Sequence, residues 1–153
     1  MKILMVCIGN ICRSPIAEGV MRTMIQEKNL PWEVSSAGIA SYHIGEPPHH
    51  YSQKICQNHG IDISHQRASL LTSHELGSYD IIYAMSTDVL QSIRETLPSS
   101  FREEKFKLFL SELYPFEKRS VPDPWYGNEE GYADVYNMIE TTCKTIIDKY
   151  NKK

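Results

Sequence analysis

Cys7 and Arg13 bracket a short segment, Cys7-Ile8-Gly9-Asn10-Ile11-Cys12-Arg13-Ser14-Pro15, that combines three kinds of chemistry. It offers a sulfur nucleophile, a run of backbone N–H groups and a cation that keeps its charge at any relevant pH. A thiol attacks well only as a thiolate, and a helix N-terminus beside an arginine favours that form. Gly9 and Asn10 tolerate positive φ, which lets successive N–H groups turn toward one anion. Arg13 presents a planar fork that grips two oxygens of a tetrahedral oxyanion. The Ser14 hydroxyl is placed to hydrogen-bond the sulfur. Together these residues suit attack of sulfur on phosphorus, a covalent phosphocysteine and its hydrolysis by water. Ile8, Gly9, Asn10, Ile11, Cys12, Arg13 and Ser14 are the candidate phosphate-binding residues, and this chemistry requires neither metal nor cofactor.

A second segment supplies an acid. Val121-Pro122-Asp123-Pro124-Trp125-Tyr126-Gly127 reads as a loop, because its prolines and glycine interrupt regular structure. Asp123, restrained between two prolines, is a candidate to protonate an aryl-oxide leaving group. Trp125 and Tyr126 beside it are suited to wall an aromatic ring.

These groups need elements to hold them. Ile3-Leu4-Met5-Val6 reads as a buried strand, and the apolar positions Ile16, Ala17, Val20, Met21, Met24 and Ile25 recur at helical spacing. Ser14 is expected to cap that helix, with Pro15 in its first turn and Glu18 complementing its dipole. Further strands are expected near 2–6, 33–37, 80–85 and 106–110, and helices near 14–28, 48–59, 72–76, 87–96 and 130–150. This alternation predicts an α/β fold: one domain over 1–153, with a four-stranded parallel sheet and helices on both faces in a Rossmann-like or flavodoxin-like three-layer arrangement. In such folds ligands bind at the carboxyl ends of the strands, where the Cys7 segment sits. Residues 149–153 are expected to fray.

Composition narrows the classes. A chain of 153 residues with net charge −3 has the size of a single core and no broad basic character for nucleic acid. Of its four cysteines two lie in the Cys7 segment while Cys56 and Cys143 stand apart, which is not a secreted disulfide framework. The Ile3–Val6 run is too short for a signal peptide or a membrane span. A cytoplasmic location is expected. The six histidines are scattered, with no zinc spacing, and read as surface or capping residues.

Both motifs together resemble the low-molecular-weight protein tyrosine phosphatase family. The likeness continues through Ser35-Ser36-Ala37-Gly38, Gly45-Glu46-Pro47-Pro48, Asn58-His59-Gly60-Ile61 and Tyr79-Asp80-Ile81-Ile82-Tyr83-Ala84-Met85. The resemblance implies Cys7 as nucleophile, Arg13 as phosphate clamp and Asp123 as the acid that later acts as base. It implies Asn10, Ser14 and Ser36 as supports of the loop, and Ile11, Tyr42, Trp125 and Tyr126 around the substrate ring. It further implies a reversible Cys7–Cys12 disulfide that protects the nucleophile. The expected partner is a phosphotyrosine-bearing protein, with inorganic phosphate as product, and the protein is expected to be a monomer or weak dimer. Specificity is expected at the cleft rim, Ile11, Tyr42, His43, His49, Trp125 and Tyr126. One departure is His65-Gln66-Arg67-Ala68, where relatives reverse the order of Arg and Ala, and no role is assigned to His65 or Arg67.

Three other readings carry sequence tests. An arsenate reductase needs further cysteines after the third strand, where this chain reads Ala84-Met85-Ser86-Thr87-Asp88. A protein arginine phosphatase typically has Thr at the position of Ile11. A non-catalytic phosphotyrosine-binding module would have lost Cys7, Arg13 or Asp123, and all three are present.

Overall fold

The structure is a computed structural model that describes residues 1–152, excepting the side chain of Tyr126. Four strands, β1 (Lys2–Cys7), β2 (Glu33–Gly38), β3 (Ile81–Ala84) and β4 (Phe106–Leu108), pair in parallel in the order β2-β1-β3-β4. The helices are α1 (Arg13–Glu27), α2 (His50–Asn58), α3 (Ser73–Leu76), α4 (Thr87–Thr96) and α5 (Glu129–Tyr150). The expected α/β architecture is the observed one. From β1 the chain crosses to one neighbour and later to the other, so a crevice opens at the carboxyl ends of β1 and β3.

Period-two alternation along β1 sets which layer each side chain enters. Ile3, Met5 and Cys7 join the core formed with α1, α2 and α5, while Leu4 and Val6 join the one beneath α4. Burial on both faces explains why this strand reads as an unbroken apolar run. In α5, Tyr132, Val135, Tyr136, Ile139, Cys143, Ile146 and Ile147 are buried at helical spacing.

Some boundaries differ from the sequence expectation. The last strand ends at Leu108, and Phe109–Glu112 turns into a 3-10 segment that packs Phe109 and Leu110 inward. Helix α1 begins at Arg13 with Cys12 at its cap and no side-chain cap, so Ser14 lies inside the helix and Glu18 lies beyond the first turn. The Ser14 hydroxyl is drawn instead to Cys7 and Asn10. Helix α5 runs through Tyr150, and near its end Lys149 donates to Glu112; of the expected frayed tail, Lys153 lies outside the described residues.

That contact belongs to a clamp between α5 and the sheet. Glu112, buried beneath α5, accepts hydrogen bonds from Tyr83 Oη at 2.5 Å and Lys149 Nζ at 2.8 Å. Burial alone would raise the Glu112 carboxyl, but hydrogen bonds from Lys149, Tyr83 and Tyr150 outweigh it and hold the group below its ordinary value.

Because the folded carboxyl takes up its proton less readily than the unfolded one, its contribution is complete above the unfolded value of about 4.3 and is lost as pH falls through the lower folded value. Glu112→Gln is expected to cost about 1–3 kcal/mol at neutral pH by removing the charge that faces Lys149 and turning one of the two acceptor oxygens that serve Lys149 and Tyr83 into a donor. The thermal midpoints of wild type and variant should converge between about pH 5 and 3. A constant gap across that range would show that the carboxylate does not stabilise the fold.

Candidate active site

Cys7 ends β1 with its sulfur at the floor of a cleft and only 3 % of the residue exposed. Ile8, Gly9, Ile11, Cys12 and Arg13 complete the floor. Tyr42, His43, Asp123 and Trp125 form the walls. The first N–H groups of α1 lack partners within the helix and follow directly on this loop. A loop of this kind leading into a helix N-terminus favours an anion.

Asn10 organises the loop. It takes φ of 59°, a left-handed conformation that Asn adopts more readily than most residues. Its side-chain oxygen accepts the Ser69 backbone N–H at 3.0 Å, which fixes the orientation of the amide. The amide nitrogen then donates to Ser14 Oγ and Ser36 Oγ, both at 2.9 Å. Ser14 Oγ, which accepts from Asn10, lies 2.9 Å from Cys7 Sγ, and its proton points to that sulfur when Cys7 is a thiolate. Ser36 directs its proton to Glu18 Oε1 at 2.6 Å, and Arg22 holds the other Glu18 oxygen at 2.6 Å. The chain of donors and acceptors thus ends with a hydroxyl proton aimed at the sulfur, a stabilising arrangement for a thiolate.

Gly9 was expected to share the positive φ. It does not, and instead admits His43, whose Cδ2 would lie 2.9 Å from a Cβ at that position.

Arg13 is buried and held from one side. Its Nη1 donates to the Val121 carbonyl at 3.1 Å, and its Nη2 lies 3.7 Å from Asp123 Oδ2. Val121 is anchored in turn by its N–H to Met85 O at the end of β3. The guanidinium therefore ties the cation of the loop to the segment that carries the carboxylate. Asp123 Oδ1 caps a 3-10 turn, Pro124–Tyr126, by accepting the Trp125 N–H at 3.0 Å. That single turn forms where the sequence predicted only loop.

The remaining expected residues are distributed as follows. Ile11 is buried and lines the cleft, while Tyr42 and Trp125 stand 79 % and 45 % exposed at its mouth. The Tyr126 side chain lies outside the described residues. Cys12 Sγ is 3.4 Å from Tyr132 Oη, and burial pushes its thiol up to about 12, against the pull of the Tyr132 hydrogen bond and Arg13. Burial thus favours the neutral thiol at Cys12. Cys56 and Cys143 are fully buried in the core away from the cleft lining. His65 and Arg67 are exposed, Arg67 bonding the carbonyls of Ser64 and Gln66, while Ala68 is buried.

Several positioning groups escaped the sequence. Glu18 was read only as a helix-dipole residue, although it lies eighteen positions from the Ser36 that it binds. Gly38 stands opposite Cys7 in the β1–β2 register, and a Cβ there would lie 2.7 Å from Ile8 O and 3.0 Å from Asn10 N. Ser69 and Val121 act through their backbones, which leave no mark in residue type. Among the described residues no group of three or more metal-ligating side chains is assembled.

A family model described as low molecular weight phosphotyrosine protein phosphatase matches residues 2–153. The human low molecular weight phosphotyrosine protein phosphatase is 34% identical over 151 residues, covering 97% of this chain and 94% of its own. PtpA of Staphylococcus aureus, a low molecular weight protein-tyrosine-phosphatase, is 36% identical over 144 residues, covering 94% and 89%. Among solved structures, the YwlE arginine phosphatase, a cysteine-to-serine mutant with a phosphorylated active-site serine, matches with a TM-score of 0.90 at 25% identity over 100% of this chain and 97% of its own. YwlE is a Bacillus subtilis protein.

The close approach at Gly38 gives a test of the loop. Gly38→Ala is expected to displace the Ile8–Asn10 backbone and weaken inhibition by inorganic phosphate or vanadate at least about tenfold, equivalent to about 1.4 kcal/mol. Gly77→Ala, where nothing lies within 4 Å of the new Cβ, is the control and should bind as wild type. Equal binding by both variants would mean that β2 does not shape the anion site.

Proposed function

The chain belongs to the low molecular weight phosphotyrosine protein phosphatase family, and from that premise we propose that it hydrolyses phosphotyrosine in proteins, and small aryl phosphates, through a phosphocysteine. The observation that carries the reading is the convergence of Cys7, the Ser14 hydroxyl, the Arg13 guanidinium and the Asp123 carboxyl on one cleft.

In the first step the Cys7 thiolate attacks phosphorus and the bond to the aryl oxygen breaks. Protonated Asp123 gives its proton to that oxygen, so the leaving group departs as a neutral phenol. The loop N–H groups and Arg13 hold the equatorial oxygens as charge spreads over them. In the second step water attacks phosphorus, Asp123 takes a proton from it, and sulfur leaves as a thiolate that receives the Ser14 hydrogen bond. Inorganic phosphate is released. The 3.7 Å approach of Asp123 Oδ2 to Arg13 Nη2 supports this assignment, since it keeps the carboxyl within reach of the oxyanion site.

Tyr42 and Trp125 are assigned to the substrate ring, with Tyr126 alongside on sequence grounds. Ile11 favours a tyrosine over an arginine substrate, because a bulky apolar side chain on the cleft floor packs against an aryl ring. Cys12, a neutral thiol on the same loop, is proposed to capture an oxidised Cys7 as a reversible disulfide. A cytoplasmic location rests on cysteines that do not form a secreted framework, and the exposed aromatics at the cleft suit a monomer or weak dimer.

Hydrolysis of phosphotyrosine and phosphoarginine peptides by the reduced enzyme tests the reading. We expect phosphotyrosine to be preferred, Cys7→Ser to be inactive while still binding phosphate, and Asp123→Ala to slow phenyl phosphate at least about tenfold more than p-nitrophenyl phosphate. Preference for phosphoarginine would reassign the substrate, and equal slowing of both esters would remove Asp123 as the acid.

A further inference from the structure

His49 touches both the Cys7–Arg13 loop and the segment that carries Asp123, although it is not itself among the residues that line the cleft. Its backbone N–H donates to Ile11 O at 2.8 Å, joining it to the phosphate loop. Its ring lies edge-on to Trp125, with centroids 5.4 Å apart and planes at 78°, and stacks on buried Tyr132 at 5.3 Å and 20°. Tyr132 in turn meets Cys12. On its own side, His49 caps α2: Nδ1 accepts the Tyr51 N–H at 3.1 Å.

This cap fixes the ring's protonation. Nδ1 can accept only when it carries no proton, so the neutral ring has its proton on Nε2. A second proton would turn the acceptor into a donor facing another donor, and α2 would lose its cap. The same proton would place a cation 4.5 Å, centroid to centroid, from the His50 ring. Burial, followed by the neighbouring His50, already holds His49 below its ordinary value.

The contact with Trp125 extends this device to the acid. The Trp125 N–H is the donor that orients Asp123 Oδ1. We propose that neutral His49 is a positioning residue that sets Trp125 and, through it, Asp123, and that protonation of His49 releases both. This rests on the proposed reaction, in which Asp123 protonates the leaving group. The titratable neighbours are His50 beside it, Tyr51 from α2 and Tyr132 from α5. Across Trp125 lie the His43–Glu46 pair, with Nδ1 to Oε2 at 3.0 Å, and the Arg13–Asp123 pair. None of these supplies a carboxylate in contact with the His49 ring, so the neutral form is the one the surroundings favour.

Two substitutions separate the ring from the cap. His49→Asn keeps an acceptor for the Tyr51 N–H but loses the ring, and His49→Phe keeps a ring but loses the acceptor. Both are expected to lower kcat for phenyl phosphate about tenfold, with a smaller effect on p-nitrophenyl phosphate and unchanged inhibition by inorganic phosphate. The acid limb of the wild-type kcat profile between about pH 5 and 7 should be shallower in both variants.

A second readout does not depend on turnover or on the variants' folding. In a Trp32→Phe, His43→Gln background, Trp125 emission should titrate as a single proton with a midpoint below the ordinary histidine value of about 6.5. Emission that is flat from about pH 5 to 7.5, or leaving-group and pH dependences in both variants identical to wild type, would overturn the proposal. Absence of aryl phosphatase activity in the wild type would instead count against the proposed reaction and leave the fluorescence titration to decide the role of His49.

Discussion

The amide of Asn10 is the contact on which the site depends. A left-handed backbone at this residue closes the loop, and the side chain then joins segments far apart in sequence: Ser14 of α1, Ser36 of β2 and the backbone of Ser69. Each bond is worth about 1 kcal/mol net, while a buried donor left unpaired costs about 1–3 kcal/mol. Such a network is stable only when complete, and with Cys7 as a thiolate it admits one arrangement of protons. Ser69 orients the amide, the amide occupies the Ser14 oxygen, and the remaining Ser14 proton has the Cys7 sulfur as its acceptor. The arrangement is a consequence of satisfying buried polar groups, and the chemistry inherits its geometry.

The fold makes that network possible by bringing the segments to one end of the sheet. Cys7 and Gly38 are register partners at the ends of β1 and β2, and the missing side chain at Gly38 lets the loop fold back against β2. On the other side of β1, Met85 at the end of β3 holds Val121, and Val121 holds Arg13. Cys7 and Asp123, the proposed nucleophile and acid, thus come from opposite ends of the chain, and meet because β1 lies between β2 and β3. Arg13 links them, with Nη1 on the Val121 carbonyl and Nη2 3.7 Å from Asp123 Oδ2, and in the proposed reaction it also clamps the oxyanion.

What was legible in the sequence had a local cause. The alternation of strands and helices, the Cys7–Arg13 spacing and the restrained Asp123 each leave a mark in consecutive residues. Ser14 was misread as a cap because its type suits one, whereas the nearby sulfur and amide compete for its hydroxyl and win. Glu18 and Gly38 were opaque because their partners lie across the fold, and Ser69 and Val121 because a backbone group is common to every residue. His49 was read as a rim or capping histidine. It does cap, but its hold on Trp125 is visible only once α2, α5 and the acid loop are packed together.

The central claim is that phosphate passes through the sulfur of Cys7. The most direct test is to quench the Asp123→Asn enzyme in alkali during turnover of p-nitrophenyl phosphate, whose leaving group departs with little help from the acid, then locate the bound phosphate by peptide mapping and identify its bond by phosphorus NMR. Slowed hydrolysis of the intermediate should let a phosphate accumulate on Cys7 through a sulfur–phosphorus bond. Phosphate attached to any other residue, or released at an undiminished rate with no phosphoenzyme formed, would contradict the account.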